Sequence, residues 1–284
     1  QLQESSPGSL SPDGLTPREQ LAAIHERAQQ LVAEQYECLS KHLLPALRTA
    51  GIRLMPRSSW DEATREWLAR YFENEVEPVL TPLALDPSRP FPRIQNKSLN
   101  FVVSLEGEDA YGREATRAIV QAPRSLPRII SLPTGHDGEQ RLVLLSGIIE
   151  AFMPRLFEGM RIMDVHQFRV TRNSDLFVDE EEADDLRRAL EGELQQRRYG
   201  SAVRLETTTD CPSDVVSFLA RQFGIGDVDV YTVPPPVNLY RLSAIYDLIE
   251  RADLKYPAFV PSLPRRLNDE QGMFSAIRQS DLLL

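Results

Sequence analysis

The sequence predicts an α+β protein, in which a long helical N-terminal segment joins a mixed α/β head containing a strand-helix-strand-helix-strand unit. Three patterns carry this reading. Leu21, Ile24, Ala28, Leu31, Leu39 and Leu43 recur at helical spacing behind Thr16-Pro-Arg-Glu19, a capping-box pattern with Pro at the first helical position. Leu99, Phe101, Val103 and Leu105 alternate with Asn100, Val102 and Ser104, the period of a strand. From residue 161 to 233, strand-like and helix-like segments alternate.

Taken in order, residues 1–15 carry Ser, Pro and Gly without periodicity and read as a lead-in. A helix is expected over 16–50, stopped by Gly51. Ser59-Trp-Asp-Glu62 reads as a second capping box, with Trp60, Trp67, Leu68 and Tyr71 on a shorter helix that ends before Pro78. Four prolines between Thr81 and Pro92 demand a pinned, non-helical course. Strands are expected over 98–105, 117–122, 127–131 and 141–145, then a helix from Ser146 to Phe157, interrupted near Pro154 and stopped by Gly159. The alternating unit follows: strand 161–174, helix 180–198, strand 202–207, helix 213–222, strand 228–233. The triple proline 234–236 breaks it, and helices near 238–249 and 270–280 close the chain.

Composition narrows the function classes. The chain has 284 residues, 42% hydrophobic and 26% charged, the balance of a globular protein. No apolar run reaches transmembrane length, and the start lacks the basic and apolar segments of a secretory signal, so a cytoplasmic protein is expected. The start also lacks Met, which suggests a fragment. Cys38 and Cys211 stand far apart and form no metal or disulfide framework. A net charge of -10 opposes non-specific binding to nucleic acid, while leaving room for a local basic groove.

One series of blocks points to a family. Phe168-Arg-Val-Thr-Arg-Asn173 and the acidic run Asp179-Glu-Glu-Glu-Ala-Asp-Asp185 are its middle. Before them stand Pro82-Leu-Ala-Leu-Asp86, Pro90-Phe-Pro92, Asn96-Lys-Ser-Leu-Asn100, Leu126-Pro-Arg-Ile-Ile130 and Leu156-Phe-Glu-Gly159. After them come Arg198-Tyr-Gly-Ser-Ala-Val-Arg-Leu-Glu206, Leu254-Lys-Tyr-Pro-Ala-Phe259, Leu263-Pro-Arg-Arg266 and Phe274-Ser-Ala-Ile-Arg-Gln-Ser-Asp281. In this order the blocks resemble bacterial polyphosphate kinase. One departure is Pro235, where the family usually has Gly in a Val-x-Gly-Pro-x-Asn-Leu turn, because Pro cannot adopt a positive φ.

The resemblance implies an enzyme that transfers the terminal phosphate of ATP to polyphosphate through a phosphohistidine, with magnesium. It implies that residues 1–51 are the end of the helical N-terminal domain, that 52–284 form the head domain, and that the catalytic C-terminal domains lie downstream. On that basis the expected role is non-catalytic: assembly and shaping of the channel. ATP and magnesium would serve the whole enzyme with no cofactor in this fragment, and a homo-oligomer is expected. The alternative is a standalone interaction module with the same head fold; the reading frame beyond Leu284 distinguishes the two.

The residues themselves agree with a non-catalytic part. His25, His42, His136 and His166 are scattered, and none has in sequence the acid and cation neighbourhood of a phosphohistidine. Gly224-Ile-Gly226 follows a helix and reads as its stop rather than a phosphate loop. The acids from Asp179 to Asp185 fit a helix start, where carboxylates oppose the macrodipole, better than a metal site. Arg169, Arg172 and Arg204 interrupt apolar strands and are the candidate polyphosphate contacts; Arg169 shares a face with Thr171, and Arg172 the opposite face with Val170. If strands 161–174 and 202–207 are neighbours, two of these arginines line one surface. The other reading pairs them with Glu206, Asp175 or the acidic helix.

Overall fold

The computed structural model describes residues 12, 14–86, 88–108, 116–133, 138–173, 200–259, 274, 275 and 278. The expected helix 180–198, its acidic start and His136 lie outside the described residues, as does most of the expected helix 270–280. The chain divides into two compact units, Gln1–Ala244 and Ile245–Leu284.

The first unit opens with α1, Pro17–Cys38, which continues through a π-helical turn, Leu39–Leu43, into α2, Leu44–Thr49. The capping box is formed in full: Thr16 Oγ1 accepts from the Glu19 amide, and the Glu19 carboxylate accepts from the Thr16 amide at 2.8 Å. Gly51 ends the run at φ 77°, a conformation open to glycine at little cost. The face that packs inward differs from the expected stripe. Pro17 and Tyr36 are buried, and Leu21, His25, Ala28 and Val32 are half-buried between them, while Ile24, Leu31 and Leu43 are exposed. A contact through one narrow line of residues leaves the rest of the apolar surface open.

β1, Ile52–Leu54, follows, then α3, Glu62–Tyr71. The cap of α3 is Asp61, whose carboxylate accepts from the Thr64 amide at 2.8 Å, and not Ser59, whose hydroxyl donates to the Pro56 carbonyl within a 3₁₀ turn. Asp stands ahead of Ser as a helix start here because its side chain reaches the third residue of the helix that actually forms. β2, Pro82–Ala84, β3, Asn100–Glu106, β4, Arg117–Gln121, β5, Ile129–Ser131, and β6, Gln140–Leu144, lead to α4, Leu145–Phe152. β7, Arg161–Arg172, β8, Ala202–Thr208, α5, Ser213–Phe223, and β9, Val230–Val233, complete the alternating unit, β7 ending at Arg172 rather than residue 174. The expected helix near 238–249 is a 3₁₀ segment, Leu239–Ser243, followed by the short α6, Ala244–Leu248.

Two sheets result. The small one has order β1-β6-β5; the large one has six strands in order β2-β4-β3-β7-β8-β9. All pairs of the large sheet are antiparallel except β8 with β9, which α5 connects as a parallel crossover. Pro82 sits on the edge strand, where its missing N–H is tolerated. Strand alternation sends Phe101, Val103, Leu105, Ala118 and Val120 to a core with Phe72, Leu145, Ile148 and Ile149. Val102, Ile119, Phe168, Val170 and Leu205 enter a second core with Val215 and Leu219 of α5. From Val165 onward the odd residues of β7 therefore share the first face, and Arg169 is on it.

In the second unit, Arg251 grips Asp253 by two bonds of 2.8 and 2.7 Å, and the Lys255 ammonium lies 4.6 Å from the Tyr246 ring centre.

α1 is tied to the large sheet at two points. His25 Nε2 lies 3.3 Å from an Asp229 carboxylate oxygen, and Tyr36 Oη donates to the Pro236 carbonyl at 2.9 Å. Burial, and then the charge of Glu206, push the Tyr36 phenol well above its usual range, so it remains a donor. Tyr36→Phe removes that one bond and leaves the ring packed. It should lower stability by about 1 kcal/mol in urea denaturation. An unchanged midpoint would mean that apolar contact alone docks the helix.

Candidate functional site

A cavity of about 730 Å³ opens at one end of the large sheet's first face. Its wall is made by Gln95, Asn96 and Lys97 before β3, Arg124 after β4, Arg169 on β7, and Asn238, Tyr240 and Arg241 after β9. Four of these eight residues are cationic and none is acidic. Elsewhere arginines meet carboxylates: Arg117 lies 2.7 Å from Asp214, Arg155 lies within reach of Glu73 and Glu77, and Arg161 pairs with Glu106. The cavity therefore concentrates positive potential on a chain whose net charge is -10.

The two loops of this wall are held by polar contacts to β7 and its neighbours. Asn96 faces the end of β7: its Oδ1 accepts from the Arg172 amide at 2.9 Å, while the Lys97 amide donates to the Val170 carbonyl at 2.8 Å. Arg124 donates to the Asn96 carbonyl. On the other side, the Val237 amide donates to Gln167 Oε1 at 3.2 Å, and Gln167 Nε2 donates to Glu150 at 2.6 Å. Burial raises the Glu150 carboxyl above its usual range, against the lowering effect of the Gln167 bond. Lys97, at φ 57°, and Asn238, at φ 71°, are the two non-glycine residues with positive φ among the described residues, and both line the cavity. Residues held in such conformations concentrate at binding sites, where surrounding contacts enforce them. In the loop after β9, the positive φ falls at Asn238, not at Pro235.

The three arginines singled out in the sequence divide between the faces. β7 and β8 are neighbours, with Arg169 directly opposite Glu206. Arg169 Nη1 donates to Glu206 Oε2 at 2.8 Å, and Arg204 Nη2 donates to Glu206 Oε1 at 2.9 Å. Glu206 is only 5% exposed and meets two guanidiniums that are themselves partly exposed. Arg204 also stacks on Tyr231, 3.8 Å from the ring centre, and does not line the cavity. Arg169 does, and its buried Nε has no hydrogen-bond partner among the described residues. Arg172 lies on the opposite face. It donates from Nε to the Ile94 carbonyl at 3.0 Å and from Nη1 to the Gly200 carbonyl at 2.8 Å, and sits 5.7 Å from the Phe223 ring centre. It braces the 94–97 loop from behind.

Sequence reading missed Lys97, Arg124, Arg241 and Asn238. Two of them stand inside or beside quoted blocks, but turn residues between strands carry no periodicity that would announce a shared cavity. The described histidines, His25, His42 and His166, do not line it. His166 is buried on β7 with Nδ1 3.6 Å from Asp210, beyond hydrogen-bond range, and His42 is exposed in the π turn. Gly224 ends α5 at φ 64°, as a helix stop. Among the described residues no group of three or more His, Cys, Asp or Glu could hold a metal ion, and the cations of the cavity would repel one. No helix among them is long and apolar enough to cross a membrane.

Comparison with known proteins agrees along almost the whole chain. Residues 63–245 match the model of the polyphosphate kinase middle domain, and residues 1–55 that of the polyphosphate kinase N-terminal domain. The polyphosphate kinase of Burkholderia multivorans is 48% identical over 280 residues, 98% of this chain and 41% of the relative. That of Pseudomonas aeruginosa is 46% identical over 273 residues, 96% of this chain and 40% of the relative. The chain thus spans about two fifths of the length of these relatives. The crystal structure of polyphosphate kinase from Porphyromonas gingivalis superposes with a TM-score of 0.72 over 94% of this chain and 38% of that one; at 22% identity it speaks for the fold. The chain belongs to the polyphosphate kinase family, and it covers that family's N-terminal and middle regions.

Proposed function

We propose that this region is a non-catalytic part of an enzyme that transfers the terminal phosphate of ATP to polyphosphate, and that its own work is assembly and shaping of the path the polyanion takes. Residues 1–51 would close the helical N-terminal domain and 52–284 would form the head. The observation that carries the proposal is the cavity lined by Lys97, Arg124, Arg169 and Arg241 with no acid in its wall. A polyphosphate chain presents a row of anionic oxygens, and arginine meets such oxygens with a planar set of donors. Contact releases condensed counterions, which gives a salt-dependent affinity even on an acidic protein. Arg169 is the contact carried forward from the sequence. Arg204 acts on it through Glu206, and Arg172 through the 94–97 loop.

Assembly is the second part of the proposal. Ile24 at 53% exposure, Leu31 at 48% and Leu43 at 52% leave apolar surface along the N-terminal helix that a further domain or a second copy would cover. Chemistry is assigned elsewhere in the enzyme, because none of the described histidines lines the cavity.

Two measurements test this. With ATP and magnesium the chain alone should form no polyphosphate and no acid-labile phosphohistidine; labelled phosphate on His25, His42, His136 or His166 would contradict it. Long-chain polyphosphate should bind with an affinity that falls steeply with salt. Arg169→Gln should weaken that binding and reduce the log-log salt slope by about 0.7–0.9 per lost phosphate contact. Arg172→Ala should instead lower the melting temperature. If polyphosphate binds no better than sulfate, or if Arg169→Gln leaves both affinity and slope unchanged, the role of the cavity is wrong.

A further inference from the structure

Beside the cavity lies a recess of about 20 Å³, lined by Leu99, Arg128, Leu144, Ser146 and the loop after β9. Asn238 and Arg241 line both spaces. The recess holds one oxygen-sized group, not a whole phosphate. Arg128 stands at its wall. Its Nη2 donates to the Ala122 carbonyl at a long 3.4 Å, and its buried Nη1 has no hydrogen-bond partner among the described residues. Burial, and then the like charges of Arg241 and Arg124, push the guanidinium down to about 10. Arg124 lines the cavity, Arg128 the recess and Arg241 both, so three arginines gather around one opening, and among the described residues no carboxylate is paired with any of them. Neighbouring like charges and an orphaned buried donor are unfavourable in the free protein. A dianion seated among them would relieve both.

We infer that Arg124, Arg128 and Arg241 clamp the terminal phosphate of a condensed phosphate, with one of its oxygens entering the recess toward Arg128. The inference rests on the reading of the cavity as a polyphosphate surface and adds which part of the chain it takes. An internal phosphate carries one negative charge and two free oxygens. A terminal one carries roughly -1.5 to -2 and three acceptor oxygens, since its second pKa is near 6. Three convergent guanidiniums match the terminal group in both charge and number of acceptors. The wider cavity, with Lys97 and Arg169 in its wall, has room for the phosphates that follow. The left-handed Lys97 and Asn238 stand in the loops that present Lys97 and Arg241, while Arg124 and Arg128 come from the connection between β4 and β5.

The test is calorimetric titration of the 284-residue chain with inorganic tripolyphosphate, orthophosphate, ATP and long-chain polyphosphate. Tripolyphosphate should bind at least about tenfold more tightly than orthophosphate. Arg128→Gln and Arg241→Gln should each weaken tripolyphosphate by about tenfold or more, and long-chain polyphosphate, with few ends per phosphate, by much less. Arg241 is exposed, so its variant keeps the test valid if Arg128→Gln fails to fold. Equal losses for short and long chains, equal binding of orthophosphate, or no change in either variant would overturn end recognition. So would ATP binding more than about tenfold tighter than tripolyphosphate, which would mean that the site reads the nucleoside. Failure of the cavity reading is separate: it would appear as long-chain polyphosphate insensitive to Arg169→Gln.

Discussion

The Glu206 carboxylate, held between Arg169 and Arg204, is the interaction on which the geometry of the site depends. Two cations on adjacent strands of one face would repel each other, and Glu206 neutralises that repulsion from a position 5% exposed. It anchors one end of Arg169 while the rest of that guanidinium stays at the cavity wall. Its charge adds to burial in pushing up the phenol of Tyr36, which fastens α1 to the Pro236 carbonyl. One buried acid thereby links two central strands at the cavity wall.

The cavity resolves an apparent conflict between an acidic chain and a polyanionic partner. Net charge governs the long-range field, whereas affinity at contact follows the local arrangement of donors. Acids are plentiful, yet they are spent on arginines outside the wall, such as Asp214 on Arg117 and Glu106 on Arg161. Of the wall's arginines, Arg169 meets the Glu206 carboxylate, whereas Arg124 donates to the Asn96 carbonyl, as Arg128 in the adjoining recess does to Ala122. Contacts to a carbonyl orient a guanidinium without cancelling its charge.

Much of the fold was legible because it is written in local periodicity. The α1 capping box, the β3 alternation and the crossover from β8 through α5 to β9 are local signals, and they stand in the structure. Three-residue strands such as Ile52–Leu54 are too short for any period to register, and they exist because β6 offers a partner. The exposure of Ile24 and Leu31 was not legible either, since spacing says which residues share a face and not what covers it. The site was half legible. Arg169 stood out as a cation on an apolar strand, whereas Arg124, Arg128 and Arg241 lie in turns and come together only through tertiary folding. Arg172 stood out for the same reason as Arg169, and alternation sends it to the other face, where it holds a loop.

The most direct test of this account is one substitution read in two ways. Glu206→Gln keeps the shape of the side chain and removes its charge, leaving Arg169 and Arg204 without their common counterion. Stability should fall by about 2–4 kcal/mol in urea denaturation, toward the lower side for guanidiniums that retain some hydration. Affinity for long-chain polyphosphate at low salt should rise, because the positive potential of Arg169 is no longer offset. Unchanged stability, or a loss of affinity in a protein that remains folded, would contradict the account.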